Sequence, residues 1–243
     1  MRNPTRVLVR NDGVVRTALM ALLVASVGCT TPAPTPPPTT APPARWIALG
    51  DSYTKGEAAR PEESWPAVAA ARLAGHGRSV ELMANLGRTG WTARDVLEHQ
   101  VPRLEGEKLD LVTIQVGIND LVQGRTEDEF RADLRTLVAA VVARTGAPGH
   151  VVLVTIPDFS VARAAPRFGD PAVLHDDIIR RNAIIADEAS RARVGLADIF
   201  GRSREAASDG TLLADDGIHP SARGYAAWVP DVLPALEAAL EGR

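Results

Sequence analysis

From residue 45 onward the chain alternates between two apolar patterns. Trp46 to Leu49, Val80 to Leu86, Leu109 to Val116 ("LDLVTIQV"), His150 to Ile156 ("HVVLVTI") and Arg193 to Phe200 are short, nearly continuous apolar runs, the pattern of strands buried on both faces of a parallel sheet. Between them apolar residues recur at helical spacing. The clearest such stretch is Thr126 to Arg144, where Thr126 and Glu129 form a capping box and Phe130, Leu134, Leu137, Val138, Val141 and Val142 share one face. Further helices are expected over 64–73, closed by Gly75, over 92–105 and over 173–191. A last apolar-faced segment follows Pro220, and Pro230 and Pro234 are expected to break or kink it. No internal repeat interrupts the series. Five strands alternating with helices, joined by right-handed crossovers, predict a three-layer α/β/α sandwich around a five-stranded parallel sheet.

That architecture assigns a side of the molecule to every loop. In an open parallel sheet, ligands bind beyond the carboxyl ends of the strands, so only loops that follow strands can form a site.

The first 44 residues do not share the pattern. Arg2, Arg6, Arg10 and Arg16 precede the apolar stretch 17–28 ("TALMALLVASVG"), too short to span a bilayer but suited to the core of an export signal over 1–28. Cys29, the single cysteine, comes next, and then a Thr/Pro/Ala tract that completes a linker over 29–44 and behaves as a stiff, extended spacer. This order resembles a bacterial lipoprotein, which implies lipidation at Cys29 and a protein that is exported and either anchored to the cell membrane or secreted. One cysteine allows no disulfide within the chain. The remainder, 45–243, has the length of one ordinary domain. A net charge of −3 and a pI near 6.0 give no electrostatic case for nucleic acid or an acidic membrane surface. The expected partner is a small molecule, bound by a monomer.

The loops that follow strands carry the chemistry. In "RWIALGDSYTKGEA" Gly50 lets the chain turn sharply, and Ser52 exposes its hydroxyl and its amide on the site rim. A serine hydroxyl needs a base to take its proton and donors to hold the oxyanion it creates on a carbonyl. Of the five histidines, His76 and His150 lie in loops entering strands, on the wrong rim, and His99 lies within a helix. His175 falls in the loop after the fourth strand, on the right rim, without an acidic neighbour just before it. His219 has Asp216 three residues earlier across Gly217 ("LLADDGIHPS"), so a turn can aim the carboxylate at one ring nitrogen and leave the other for Ser52. Pro220 fixes the backbone of His219 and starts the next helix. Oxyanion donors come from "ANLGRTGWT", where the amides of Gly87 and Gly90 can face a ligand, and from "QVGIND", which sets the Asn119 amide on the same rim. No His/Cys/Asp group has the spacing of metal ligands, and neither metal nor cofactor is expected.

Taken in order, "GDSYTKG", "NLGRTGWT", "VGIND" and "DDGIHPS" resemble the four conserved blocks of the SGNH hydrolases, or GDSL-type esterases and lipases. They are spread over 47–219. The resemblance implies a flavodoxin-like SGNH hydrolase fold and a serine esterase working through an acyl-enzyme. It implies Ser52, Asp216 and His219 as catalytic residues and Ser52, Gly90 and Asn119 as the oxyanion hole, with Gly87 the runner-up to Gly90 and Asp120 bracing the Asn119 loop. Trp91 departs from the family pattern and either lines the acyl pocket or packs at a helix start. The family acts on short-chain acyl, acetyl-carbohydrate and lysophospholipid-type esters, and the fold does not choose among them. Two other readings remain open on sequence alone: an exported binding module that holds a sugar or phosphate in the same pocket without turnover, and an anchored structural protein whose pocket is idle. The loop 157–175 lies on the rim and is long enough to shape the pocket.

Overall fold

Strand β1 (Ala44–Gly50) is buried except at Arg45, and it lies inside the sheet. In this computed structural model, which describes residues 42–241, it is followed by α1 (Ser52–Lys55), α2 (Trp65–Gly75), β2 (Val80–Asn85), α3 (Ala93–His99), β3 (Leu111–Gln115), α4 (Ile118–Val122), α5 (Glu127–Thr145), β4 (Val151–Val154), α6 (Pro171–Ala192), β5 (Gly195–Ala197), α7 (Phe200–Ser203) and α8 (Ala222–Leu240). The five strands are all parallel, in the order β2-β1-β3-β4-β5. Helices α2 and α8 pack together on one face, and α3, α5 and α6 form the layer on the other, the expected three-layer arrangement. The export segment 1–28, Cys29 and nearly all of the linker lie outside the described residues. Among the described residues no helix is long and apolar enough to cross a membrane.

Local chemistry explains most element boundaries. Thr126 and Glu129 close the capping box on α5, and Gly146 ends the helix in the left-handed conformation. Thr92 and Asp95 form a second box on α3. Large side chains fill the layer between β1, β3 and α2: Trp46 donates its indole N–H to Thr113 (3.1 Å), Trp65 donates to Gln115 (2.8 Å), and the two rings lie 6.0 Å apart. Each indole thus contributes its apolar area without leaving a buried donor unpaired. Across α5 and α6 the fully buried Glu188 carboxylate accepts from Arg135 (2.7 Å) and Arg191 (2.8 Å), with Arg131 at 3.4 Å.

Four expectations are corrected. β2 is an edge strand, half covered, with Glu81 and Met83 exposed, because the strand order leaves it one neighbour. The fifth strand shortens to Gly195–Ala197: Arg193, at φ 56°, is spent capping α6, and Asp198 turns the chain into α7. The helix expected over 92–105 ends at His99 and continues as a 3-10 turn, Val101–Leu104, since Pro102 has no N–H to extend it. α8 runs through both prolines. Pro230 and Pro234 sit on its exposed side, where water can take up the carbonyls they leave unpaired, while Tyr225, Trp228, Val229, Val232, Leu233 and Leu236 bury the opposite face.

The sheet order fixes where a site can form. Connections from β1 run outward to β2 on one side, while β3 lies on the other, so the chain reverses direction across the sheet at β1 and β3 and opens a crevice beyond their carboxyl ends.

Candidate active site

The turn after β1 is built so that only glycine fits its first position. Gly50 has φ +151°, and a Cβ there would lie 2.2 Å from the Gln115 carbonyl oxygen and 2.3 Å from Thr54 Oγ1. Its backbone is held by a residue that sequence reasoning missed: Gln100 accepts from Gly50 N–H (2.9 Å) and donates to Gly50 C=O (2.8 Å). Asp51 then caps α1 by accepting from Tyr53 N–H (3.0 Å). Burial pushes the Asp51 carboxyl up to about 8, against the pull of the Tyr53 hydrogen bond and with the help of nearby Asp120. Ser52 begins this short helix, and its side chain emerges at the crevice.

From the far end of the chain comes the imidazole. Leu213 and Pro220 form an isolated bridge that closes the loop between them, and Gly217 takes the left-handed turn at its tip (φ +74°). Asp216 Oδ1 accepts from the amides of Ile218 (2.9 Å) and His219 (3.0 Å), while Oδ2 lies 2.7 Å from His219 Nδ1. Burial pushes Asp216 up, but these two backbone hydrogen bonds and the His219 ring outweigh it and hold the carboxylate below its ordinary range. An ionised carboxylate only accepts, so Nδ1 carries the proton and Nε2 presents its lone pair. Nε2 lies 2.9 Å from Ser52 Oγ. The Tyr53 ring packs on the imidazole at 5.4 Å and on Trp228 at 5.9 Å, so the histidine is held from its side as well.

The donors expected around Ser52 are gathered along the same crevice. Gly90, at φ +84°, and Asn119 line a cleft of about 140 Å³ together with Ser52, Tyr53 and His219. Gly87, the runner-up, is otherwise engaged. It gives its N–H to Asn85 (3.0 Å), and a Cβ there would meet Lys55 N at 2.3 Å, so it is glycine for close packing under α1. The Asn119 amide donates one hydrogen to the Trp91 carbonyl (3.0 Å), which fixes its plane and leaves its second N–H free to turn to the cleft. Asp120 Oδ2 accepts from Ala93 N–H (3.0 Å), tying the Asn119 turn to the start of α3 and hence to the Gly90 loop; its burial pushes it up to about 6. Trp91 packs against the His99 ring at 5.4 Å in a tilted arrangement, at the start of α3, and it is absent from the cleft lining.

Two further features concern the loop after β4, which the sequence placed on the rim without saying what it contributes. The wall of the cleft is apolar, made by Ile118, Val122, Phe159, Phe168 and Ile218, two of them from the long loop after β4. His175, expected in that loop, sits in α6, and it does have an acidic partner: Asp158, fully buried, lies 2.7 Å from its Nδ1 and also receives Ser160. No group among the described residues hydrogen-bonds His175 Nε2, and its ring packs on Phe200 at 5.7 Å, so this pair pins the loop that carries Phe159. Thr89, also on the cleft lining, joins Lys55 and Glu57 in a polar cluster, with Lys55 2.8 Å from Glu57, whose carboxyl the Lys55 hydrogen bond holds below its ordinary range.

A family model for the GDSL-like lipase/acylhydrolase family matches residues 48–227. Among solved structures, the lipase/acylhydrolase from Enterococcus faecalis superposes with a TM-score of 0.66 at 24% identity, covering 82% of this chain and 98% of its own. An acetylxylan esterase from Geobacillus stearothermophilus superposes at 0.63 with 21% identity, over 81% and 95% of the two chains. For the psychrotrophic esterase EstA from Pseudoalteromonas sp. the score is 0.61 at 19% identity, over 79% and 96%. At such identities the likeness is one of fold. No curated protein sequence matches the chain.

Proposed function

Because the chain belongs to the GDSL-like lipase/acylhydrolase family and is an ester-bond hydrolase, we propose that it cleaves small carboxylic esters through an acyl-enzyme on Ser52, with Asp216 and His219 completing the triad. The observation that carries this reading is the unbroken relay from Asp216 Oδ2 through the imidazole to Ser52 Oγ, at 2.7 and 2.9 Å. As Ser52 Oγ attacks the carbonyl carbon, its proton passes to His219 Nε2, and Asp216 stabilises the imidazolium that forms. The carbonyl oxygen becomes an oxyanion facing the amides of Ser52 and Gly90 and the Asn119 side chain. No described group accepts a hydrogen bond from either backbone amide, so both are free for this role. When the carbon–oxygen bond to the alcohol breaks, His219 gives that proton to the leaving oxygen. Water then repeats the sequence, giving its proton to His219 as it attacks the acyl carbon, and Ser52 recovers its proton as the acid departs.

The apolar cleft wall favours the acyl side of the ester, and the small volume favours short chains. We also propose, from the sequence of the first 44 residues, that the enzyme is exported and anchored through Cys29. A serine-directed fluorophosphonate should label the wild type at Ser52 and leave Ser52→Ala unlabelled and inactive on a short-chain chromogenic ester. Full esterase activity in Ser52→Ala would overturn the assignment of the nucleophile.

A further inference from the structure

We propose that Phe159 and Ile218 set the longest acyl chain the enzyme accepts, as a partition between the cleft at Ser52 and a smaller hollow behind it. This inference rests on the reading of Ser52 as the acylated residue.

The cleft of about 140 Å³ and a second hollow of about 30 Å³ share three lining residues: Tyr53, Phe159 and Ile218. The hollow is walled mainly by apolar groups, among them Ala162, Leu212, Pro220 and Trp228, with Asp158, Arg202 and Ser203 also lining it. A chain entering from Ser52 therefore meets the partition first and finds more apolar space beyond it. Val122 and Phe168, also on the cleft wall, remain 38% and 44% exposed.

The three shared residues are not equivalent. Tyr53 is wedged between His219 and Trp228 next to the nucleophile, so it is bound to the catalytic geometry. Phe159 stands edge-on to Phe168 (5.7 Å) and is buried, held in place by Asp158, whose carboxylate is paired with His175. Ile218 owes its place to the backbone: its N–H is bonded to Asp216 Oδ1. That bond survives any change of its side chain, so Ile218 can be shortened without withdrawing support from Asp216.

The acyl group, and not the alcohol, belongs in this cleft. Its wall is mainly Ile118, Val122, Phe159, Phe168 and Ile218, with Thr89, Gly90 and Asn119 as its polar part, while the charged Lys55 and Glu57 line a separate open groove of about 580 Å³ along the β2 edge. An apolar cavity of about 150 Å³ holds a benzene-sized guest of about six carbons. The cleft matches that size, so butanoyl and hexanoyl esters should be the best substrates and octanoyl esters should fall off.

The test compares kcat/KM across p-nitrophenyl esters from acetyl to decanoyl for the wild type, Ile218→Ala, Ile218→Phe and Phe159→Ala, with active sites counted by fluorophosphonate titration. The ratio of octanoyl to butanoyl values is read, because it cancels the amount of competent enzyme. Each extra methylene that finds apolar space is worth about fourfold, and shortening Ile218 while joining the hollow makes room for about two. The ratio should rise by about fifteenfold in Ile218→Ala, rise also in Phe159→Ala, and fall in Ile218→Phe. A ratio within twofold of the wild type in both alanine variants, with hydrolysis still dependent on Ser52, would overturn the partition alone. So would a change confined to butanoate esters of longer alcohols. Absence of both hydrolysis and Ser52 labelling in the wild type would overturn the reading of the site, and the partition with it.

Discussion

Replacing Asn119 with alanine separates a catalytic role from a structural one, because the two predict different magnitudes. Among the described residues the side chain makes one hydrogen bond, to the Trp91 carbonyl at 3.0 Å, in a half-buried position. Losing one such neutral bond costs about 0.5–1.5 kcal/mol of stability. Losing a preorganised donor to a developing oxyanion costs about 2.7–4 kcal/mol in the transition state, a fall in kcat of about 10²–10³. The second N–H of Asn119 meets no charge until the tetrahedral intermediate forms, so KM should move little. Asn119→Asp sharpens the comparison: it keeps the shape of the side chain but turns an acceptor toward the oxyanion, and its kcat should fall at least as far. Steady-state kinetics on a short-chain ester, alongside urea denaturation of both variants, give all three quantities. A variant that lost several kcal/mol of stability and kept its kcat would show that Asn119 only holds the α3 and α4 turns together. Unchanged kcat and unchanged stability would remove Asn119 from the site altogether.

Three more outcomes follow from buried groups. Gln100→Leu removes its hydrogen bonds to both Gly50 N–H and Gly50 C=O, and since Arg88 N–H still reaches the carbonyl (3.1 Å) the unpaired N–H dominates; the change should destabilise the protein by about 1–3 kcal/mol and lower kcat by displacing Ser52, with denaturation and kinetics as the readouts. Asp51 is pushed up to about 8 by burial, so the folded state holds a proton that the unfolded chain releases near 4, and this support is complete below pH 4 and lost as pH rises toward 8. Urea midpoints should therefore fall between pH 6 and 8 in the wild type, at most about 1.4 kcal/mol per pH unit, and flatten in Asp51→Asn; a wild type that gains stability over that interval would refute the assignment. Glu188 runs the other way. Arg135, despite burial and aided by Arg191, holds it down to about 2, so its contribution is present above about 4.5 and disappears as pH falls toward 2; Glu188→Gln should cost up to about 3 kcal/mol at neutral pH and blunt the acid unfolding of the wild type.

Local signals in this sequence were reliable where the deciding interactions span only a few residues. The capping box at Thr126 and Glu129 forms as written, and the left-handed glycine at 146 ends the same helix, because both depend on neighbours within one turn. The C-terminal helix misleads for the converse reason: intrinsic preference counts two prolines against it, yet burying Tyr225, Trp228 and their neighbours outweighs two unpaired carbonyls on a wet surface. His175 misleads in another way. Its partner Asp158 stands 17 residues upstream, across a loop whose path no periodicity describes.

By itself, then, the chain determined its strand and helix alternation, its parallel α/β class, and the short polar motifs at the strand ends, since each is encoded by side chains close together along the backbone. The tertiary structure alone decided that Gln100 would clasp Gly50, that Phe159 and Ile218 would divide one hollow from another, and that β2 would be left at an edge. Those contacts join residues far apart in sequence, and their distances are set by the order of strands and the packing of helices upon them, which no short stretch of sequence specifies.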